Sequence, residues 1–256
     1  MEIYLHPSCF SSYKLLKKLK SDGFLSEITL VDTSKDAPGS LQKGVISVPF
    51  IFENGEPVLV DPVSAEEVEA LISGNRSQSA MTIGQSIESF LNSVMASGLA
   101  VASSLIRQDF LHLVRGNFFI AASKINVYPH EFSLIELQQA LTNEGSSYFQ
   151  RKKALYVRAL VYNLVRHAFW AGKAPRFSDS ELKELILMQA SVGRVGMPYP
   201  PQVSLELVKE VQQILAEKGE EYYRRIVTEQ ETIGQDKEYL ELIGIRSSPT
   251  CSKIQS

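Results

Sequence analysis

The chain has 256 residues, of which 44% are hydrophobic, enough for one large or two ordinary domains. Its formal net charge of −3 argues against a nucleic-acid binder, which would carry a broad basic face. Two cysteines, Cys9 and Cys251, rule out a disulfide scaffold and point to a reducing, cytoplasmic setting.

Residues 2–6 read as a short strand that Pro7 and Ser8 interrupt. From Cys9 to Lys20 the pattern turns helical. Tyr13, Leu15, Leu16 and Leu19 form an apolar stripe, and Lys14, Lys17, Lys18 and Lys20 face water. Asp22-Gly23 ends that helix. Residues 27–31 are rich in branched side chains and predict a second strand, and residues 32–44 leave room for one short helix. Residues 48–52 and 57–60 flank an Asn54-Gly55 turn, which is a hairpin signal. Ser64 and Glu67 form a capping box for a helix whose apolar face is Val68, Leu71 and Ile72. The order is strand, helix, strand, short helix, hairpin, helix. It predicts a mixed four-stranded α/β sheet with flanking helices over residues 1–74.

Residues 75–82 read as a polar linker. The charge shifts there too: residues 1–75 hold 6 basic and 11 acidic side chains, and residues 76–256 hold 20 and 18. Residues 83–246 show no strand pattern and predict an all-α bundle. Helices are expected near 83–107, 108–125, 133–144, 147–172, 178–192, 203–218, 220–230 and 236–243. Ser133 with Glu136 and Ser178 with Glu181 are capping boxes. Residues 154–170 are apolar on nearly all sides, as in the centre of a bundle. Residues 247–256 form a polar tail, expected to be loose. The N-terminus lacks the basic-then-apolar pattern of a secretory signal. No apolar run reaches about 18 residues, and the nearest, 94–106, is interrupted by serines, so no membrane partner is expected.

Cys9 falls where the first strand hands over to the first helix. The exposed N–H groups and positive dipole end of a helix favour a thiolate, so its pKa is expected to fall. Ser12 lies one turn along, within reach of the sulfur as a hydrogen-bond donor. With serine in place of a second cysteine, Cys9-Phe10-Ser11-Ser12 is a monothiol motif. It forms a mixed disulfide but closes no internal one. His6 reads as a strand-end side chain. A cis Val48–Pro49 bond would explain a proline opening a strand, and would leave the Val48 main chain free for an extended peptide or thiol ligand.

Residues 1–73 resemble a glutaredoxin-type thioredoxin fold. The resemblance rests on Pro7-Ser8-Cys9, the Cys-x-x-Ser motif, Ser47-Val48-Pro49-Phe50-Ile51-Phe52, and the Gly55 hairpin leading to a last helix. With an all-helical domain behind it, the plan resembles that of glutathione S-transferases. The resemblance implies a cytoplasmic thiol–disulfide redox protein with Cys9 as nucleophile and Ser12 stabilising its thiolate. Val48, Pro49 and Asp61 would hold glutathione or another low-molecular-weight thiol. Asp61 keeps the acidic partner such proteins use for the γ-glutamyl end, while Pro62 replaces the serine that usually follows. The expected partners are a small thiol or a protein disulfide, with a homodimer as one arrangement.

Three other readings stand beside this one. The first is a glutathione-transferase-like enzyme with its electrophile site in the helical domain. The second is a non-catalytic thioredoxin-fold scaffold. The third, implied by the monothiol resemblance, is a [2Fe–2S] cluster shared across a dimer. The four histidines show no metal-ligand spacing, so no mononuclear metal site is expected.

On the long helix, Tyr156, Tyr162, His167 and Trp170 read as core, with a ligand pocket as the alternative. Arg158, Asn163 and Arg166 need partners if buried. Pairing with Glu136 or Glu144 is the simplest solution, and a substrate carboxylate or the domain boundary are the others. Cys251 reads as an idle tail cysteine, with a resolving role as the alternative. The loop 193–201 suits an interface or a plain connection.

Overall fold

The computed structural model describes residues 1–75, 79–191 and 202–244. Strand β1 (Glu2–Leu5) pairs in parallel with β2 (Thr29–Asp32) and antiparallel with β3 (Phe50–Glu53), and β3 pairs with β4 (Glu56–Val60). The strand order is β2-β1-β3-β4. Helix α1 (Phe10–Ser21) is the parallel crossover, α2 (Ala37–Gln42) fills the polar stretch, and α3 (Ala65–Ile72) follows the hairpin. The expected thioredoxin-like α/β arrangement is present.

The period-two alternation of the strands decides what covers each face. Ile3, Ile51 and Leu59 lie on one face and pack with Leu15 and Leu19 of α1 and Val68 and Leu71 of α3. Tyr4, Phe50, Phe52 and Val60 point the other way and merge into the core of the helical region. The helical domain is therefore the second layer over the sheet as well as an appendage to it.

That domain comprises α4 (Ile83–Ala96), α5 (Gly98–Arg107), α6 (Gly116–Ser123), α7 (Leu134–Trp170), α8 (Asp179–Gln189), α9 (Leu205–Gln235) and α10 (Lys237–Leu242). Three expectations change. The helix expected over 83–107 is two helices bent by 101° at Ser97. Ser97 is extended, its hydroxyl oxygen accepts from the Ala100 N–H at 3.2 Å, and its O–H donates to the Ile46 carbonyl at 2.8 Å. It starts a new helix where periodicity alone suggested continuation. The helix expected over 108–125 shortens to α6, because Gln108 and Lys124 take left-handed conformations at φ 56°. The pairs 133–144 with 147–172, and 203–218 with 220–230, are single helices of 37 and 31 residues. A mid-helix glycine costs about 1 kcal/mol in propensity. At Gly145 the missing side chain makes room for Phe110 and Leu111, whose nearest atoms would lie 3.6 and 3.5 Å from an added Cβ.

The two domains are tied at several points. Lys124 pairs with Glu67, and the Tyr128 hydroxyl donates to the same carboxylate at 2.9 Å. On the opposite side, the Tyr13 hydroxyl donates to Asp236 at 3.0 Å, and Lys17 pairs with Asp236 and Glu238 at 3.0 and 2.9 Å. Among the described residues no single helix is long and apolar enough to cross a membrane.

Candidate functional site

The β1–α1 loop positions the thiol. The Cys9 N–H donates to the His6 carbonyl at 2.9 Å, and Cys9 takes the N-cap position of α1 with φ −82° and ψ 115°. Cysteine is a poor cap, and its side chain satisfies none of the free N–H groups of the first turn. Instead the thiol donates to the Val48 carbonyl at 3.3 Å. The Val48–Pro49 bond is cis, as the sequence suggested, and so is Asp61–Pro62. The Asp61 N–H donates to the Pro49 carbonyl at 2.9 Å, which ties the end of β4 to the start of β3. Cys9, Val48, Pro49 and Asp61 are thus gathered in one place. The Val48 carbonyl, expected to be free for a ligand, is occupied by the thiol.

Cys9, Val48 and Asp61 line an open cleft of about 430 Å³ between the domains. Lys14 of α1 sits on the same side. The facing wall carries Tyr162, Asn163 and Arg166 of α7 and Arg225 and Glu229 of α9.

The expected acidification of Cys9 needs correction. Burial pushes the thiol up from its ordinary value. The Ser12 hydroxyl, the Ser12 backbone N–H and the Arg166 charge pull it down, Asp61 pushes it up further, and the net direction is up. A thiolate deprived of water is costlier than its neighbours can repay. Ser12 is 1% exposed, and its hydroxyl completes no hydrogen bond in the thiol state. That free proton is available to the sulfur once it ionises. The expected result is an alkylation rate for Cys9 with a pH midpoint above that of an unhindered cysteine. In Ser12→Ala the midpoint rises further. A lower midpoint in the variant would refute the donor role.

Asp61 carries another displaced pKa. Burial pushes its carboxyl up to about 6, against the Ser11 hydroxyl and the charges of Lys14 and Arg166, which favour ionisation. Below about pH 3.8 both the folded and the unfolded carboxyl are protonated, and no stability is at stake. Between about pH 3.8 and 6 the unfolded chain releases the proton first, so stability falls as pH rises. Above that window the penalty is constant, on the order of 3 kcal/mol at most. Asp61→Asn is therefore expected to stabilise the protein at neutral pH and to change little below pH ~4. Melting temperatures of both proteins across this range check it, and a pH-independent difference would refute it.

On the helical wall the Glu229 side chain is 8% exposed. It accepts from the Tyr162 hydroxyl at 2.9 Å and from Arg225 Nε at 3.2 Å. Arg166 Nη2 lies 3.8 Å away, too far for a hydrogen bond, and Arg166 Nε is buried with no acceptor. The partner of Arg166 is thus Glu229, neither Glu136 nor Glu144. Lys14, Ser11, Arg225 and Glu229 are site residues that the sequence reading missed. One signal was available: Glu229 interrupts the buried stripe of Ile226 and Ile233 on α9.

Among the described residues one remaining candidate, His6, lines the cleft, and the others fall elsewhere. His6 is used locally, its Nδ1 accepting from the Ser8 N–H at 3.2 Å. Tyr156 is core, its hydroxyl donating to the Leu91 carbonyl at 3.4 Å. Trp170 is exposed beside Phe169, and His167 and Arg158 are exposed away from the cleft. His112 lies 2.8 Å from the Ser103 hydroxyl and 3.6 Å from Asp109, which resembles a hydrolytic triad. Ser103 spends its proton on the Ala100 carbonyl at 3.0 Å and is buried, so it is no nucleophile. Cys251, the tail and the loop 193–201 lie outside the described residues. Among the described residues no three His, Cys, Asp or Glu side chains gather as a metal site.

Fold and site together define a class: a thioredoxin-like sheet whose helical layer forms the far wall of the cleft that holds Cys9. Comparison with protein-family models, curated proteins and solved structures finds no match for this chain.

Proposed function

We propose that this is a cytoplasmic thiol–disulfide redox protein of glutaredoxin-like monothiol type, with Cys9 as nucleophile and a low-molecular-weight thiol as co-substrate. The observation that carries the reading is Cys9 lining an open two-walled cleft with Val48 and Asp61, its thiol held against the Val48 carbonyl. The buried, unpartnered Ser12 hydroxyl adds to it.

Cys9 loses its proton to solvent, and its hydrogen bond to the Val48 carbonyl is given up. The thiolate attacks one sulfur of R–S–S–R′. A Cys9–S–S–R bond forms, the original S–S bond breaks, and R′–S⁻ leaves and is protonated by solvent. A second thiol R″–SH, deprotonated, attacks the sulfur attached to R, the mixed S–S bond breaks and the Cys9 thiolate is released, giving R–S–S–R″. No internal cysteine is required. Because the thiol pKa is raised, few molecules are ionised at neutral pH, while each thiolate is intrinsically more nucleophilic.

Intact-mass measurement after incubation with glutathione disulfide tests this. A glutathione adduct on Cys9, reversed by free glutathione, is the expected result. A Cys9 that stays unmodified at pH 8.5 while the unfolded chain reacts would overturn it. The second reading, a glutathione-transferase-like enzyme, draws support from the helical-domain wall facing the sulfur. Calorimetry with reduced glutathione separates the two: the transferase reading requires binding without disulfide formation.

A further inference from the structure

The facing wall of the cleft holds an arginine whose bonding is incomplete. Arg166 projects from α7, and its Nε is shielded from water with no acceptor. A buried donor left unpaired costs about 1–3 kcal/mol, more when it is charged. The nearest acid, Glu229, is committed elsewhere, to the Tyr162 hydroxyl at 2.9 Å and Arg225 Nε at 3.2 Å. The Arg166 guanidinium lies over the Tyr162 ring, 5.1 Å from its centroid, which orients the fork. Arg225 lies 5.5 Å from the same ring. Two guanidiniums and one carboxylate leave one uncompensated positive charge on this wall. That charge is felt across the cleft at both Cys9 and Asp61.

We propose that the cleft selects thiols and disulfides bearing a carboxylate, which the Arg166 guanidinium holds opposite the Cys9 sulfur. The proposal rests on the reading of Cys9 as nucleophile and adds the chemical class of its substrate. A planar carboxylate fits a guanidinium fork, and the Arg166 side chain, 33% exposed in the cleft, offers it the part of the fork beyond the shielded Nε. One net positive charge matches a monoanion. A phosphate dianion carries one negative charge more than this wall offsets. Glu229 sets the strength of the clamp: drawn off by Tyr162 and Arg225, it tempers Arg166 without occupying it.

The test compares two alkylating reagents of similar size, iodoacetate and neutral iodoacetamide. Each forms the same S–C bond on the Cys9 thiolate and expels iodide. Rates are measured above the thiol midpoint, so that changes in Cys9 pKa cancel, and with Cys251→Ser as background. The iodoacetate-to-iodoacetamide ratio is expected to exceed that of the urea-unfolded chain by roughly ten-fold, the worth of one charged hydrogen-bonded pair. Arg166→Met returns the ratio to the unfolded value, and Arg166→Lys keeps part of it. Glu229→Gln raises the ratio, because it frees Arg166 while keeping an acceptor for Tyr162. That gain is an outcome misfolding cannot mimic. Acetate, a monoanion, slows the iodoacetamide reaction more than inorganic phosphate does at equal ionic strength. A folded-protein ratio equal to the unfolded one, a ratio unmoved by Arg166→Met, or stronger protection by phosphate would each overturn the carboxylate clamp. If neither reagent labels Cys9 in the folded protein, the reading of Cys9 as nucleophile falls as well, a result distinct from an unchanged ratio.

Discussion

Cys9→Ser abolishes adduct formation with glutathione disulfide in the cleft while leaving the fold intact, and Cys251→Ser leaves the reaction in place. The first half follows from chemistry. A serine hydroxyl does not ionise near neutral pH and exchanges no disulfide, so the expected loss is complete. The second half follows from structure. The Cys9 side chain caps no helix N–H, so its one bond, to the Val48 carbonyl, is available to a serine hydroxyl as well. Serine is also the better residue at an N-cap, so stability should hold or rise by up to about 1 kcal/mol. Intact mass and thermal melting of both variants check the pair. An adduct that survives in Cys9→Ser and vanishes in Cys251→Ser would move the chemistry to the tail and end the cleft reading.

The largest expected loss of stability comes from Phe90→Ala. Phe90 is fully buried on α4, with ring centroids 5.3, 5.7 and 6.4 Å from Phe119, Phe110 and Phe118 in edge-on contacts. These rings belong to the core cluster that also takes in Tyr4, Phe50 and Phe52 of the sheet. Truncation leaves a cavity that the three packed aromatic neighbours cannot close, at about 3–5 kcal/mol. For a chain of this length that is a fall in melting temperature of roughly 6–20 °C. Because the sheet shares this core, the two domains should melt together. Two separate transitions in the variant would show that the shared core does not couple them.

The α/β domain was legible because its signals are local. The Asn54-Gly55 turn, the branched strands and the Ser64 capping box each act within a few residues. The same is true of the helix starts at Ser133 and Ser178. The break at Ser97 was missed because its hydroxyl binds Ile46, 51 residues away, and no window of sequence contains both. The continuity through Gly145 was missed for a related reason: the residues that fill its missing side chain, Phe110 and Leu111, belong to an earlier segment. In the site, Cys9, Ser12, Val48, Pro49 and Asp61 were visible as a motif and its companions. The Arg166 wall was half visible: its arginine stood out on an apolar helix, but its acid lies 63 residues on, brought close only by the packing of α7 against α9. The direction of the Cys9 pKa was misjudged because helix position is written in sequence and desolvation is not.

The contacts that hold the Cys9 loop join segments far apart in the sequence. Gln230 Nε2 donates to the Ser8 carbonyl at 3.0 Å, and the Tyr239 hydroxyl to the Pro7 carbonyl at 3.4 Å, across 222 and 232 residues. During synthesis the thiol loop therefore leaves the ribosome 222 and 232 residues ahead of the side chains that support it. Throughout that interval Cys9 lacks the burial that raises its pKa. The nascent chain meets cellular oxidants with an ordinary, exposed cysteine, and the guarded thiol of the finished protein comes into being only when α9 and α10 dock.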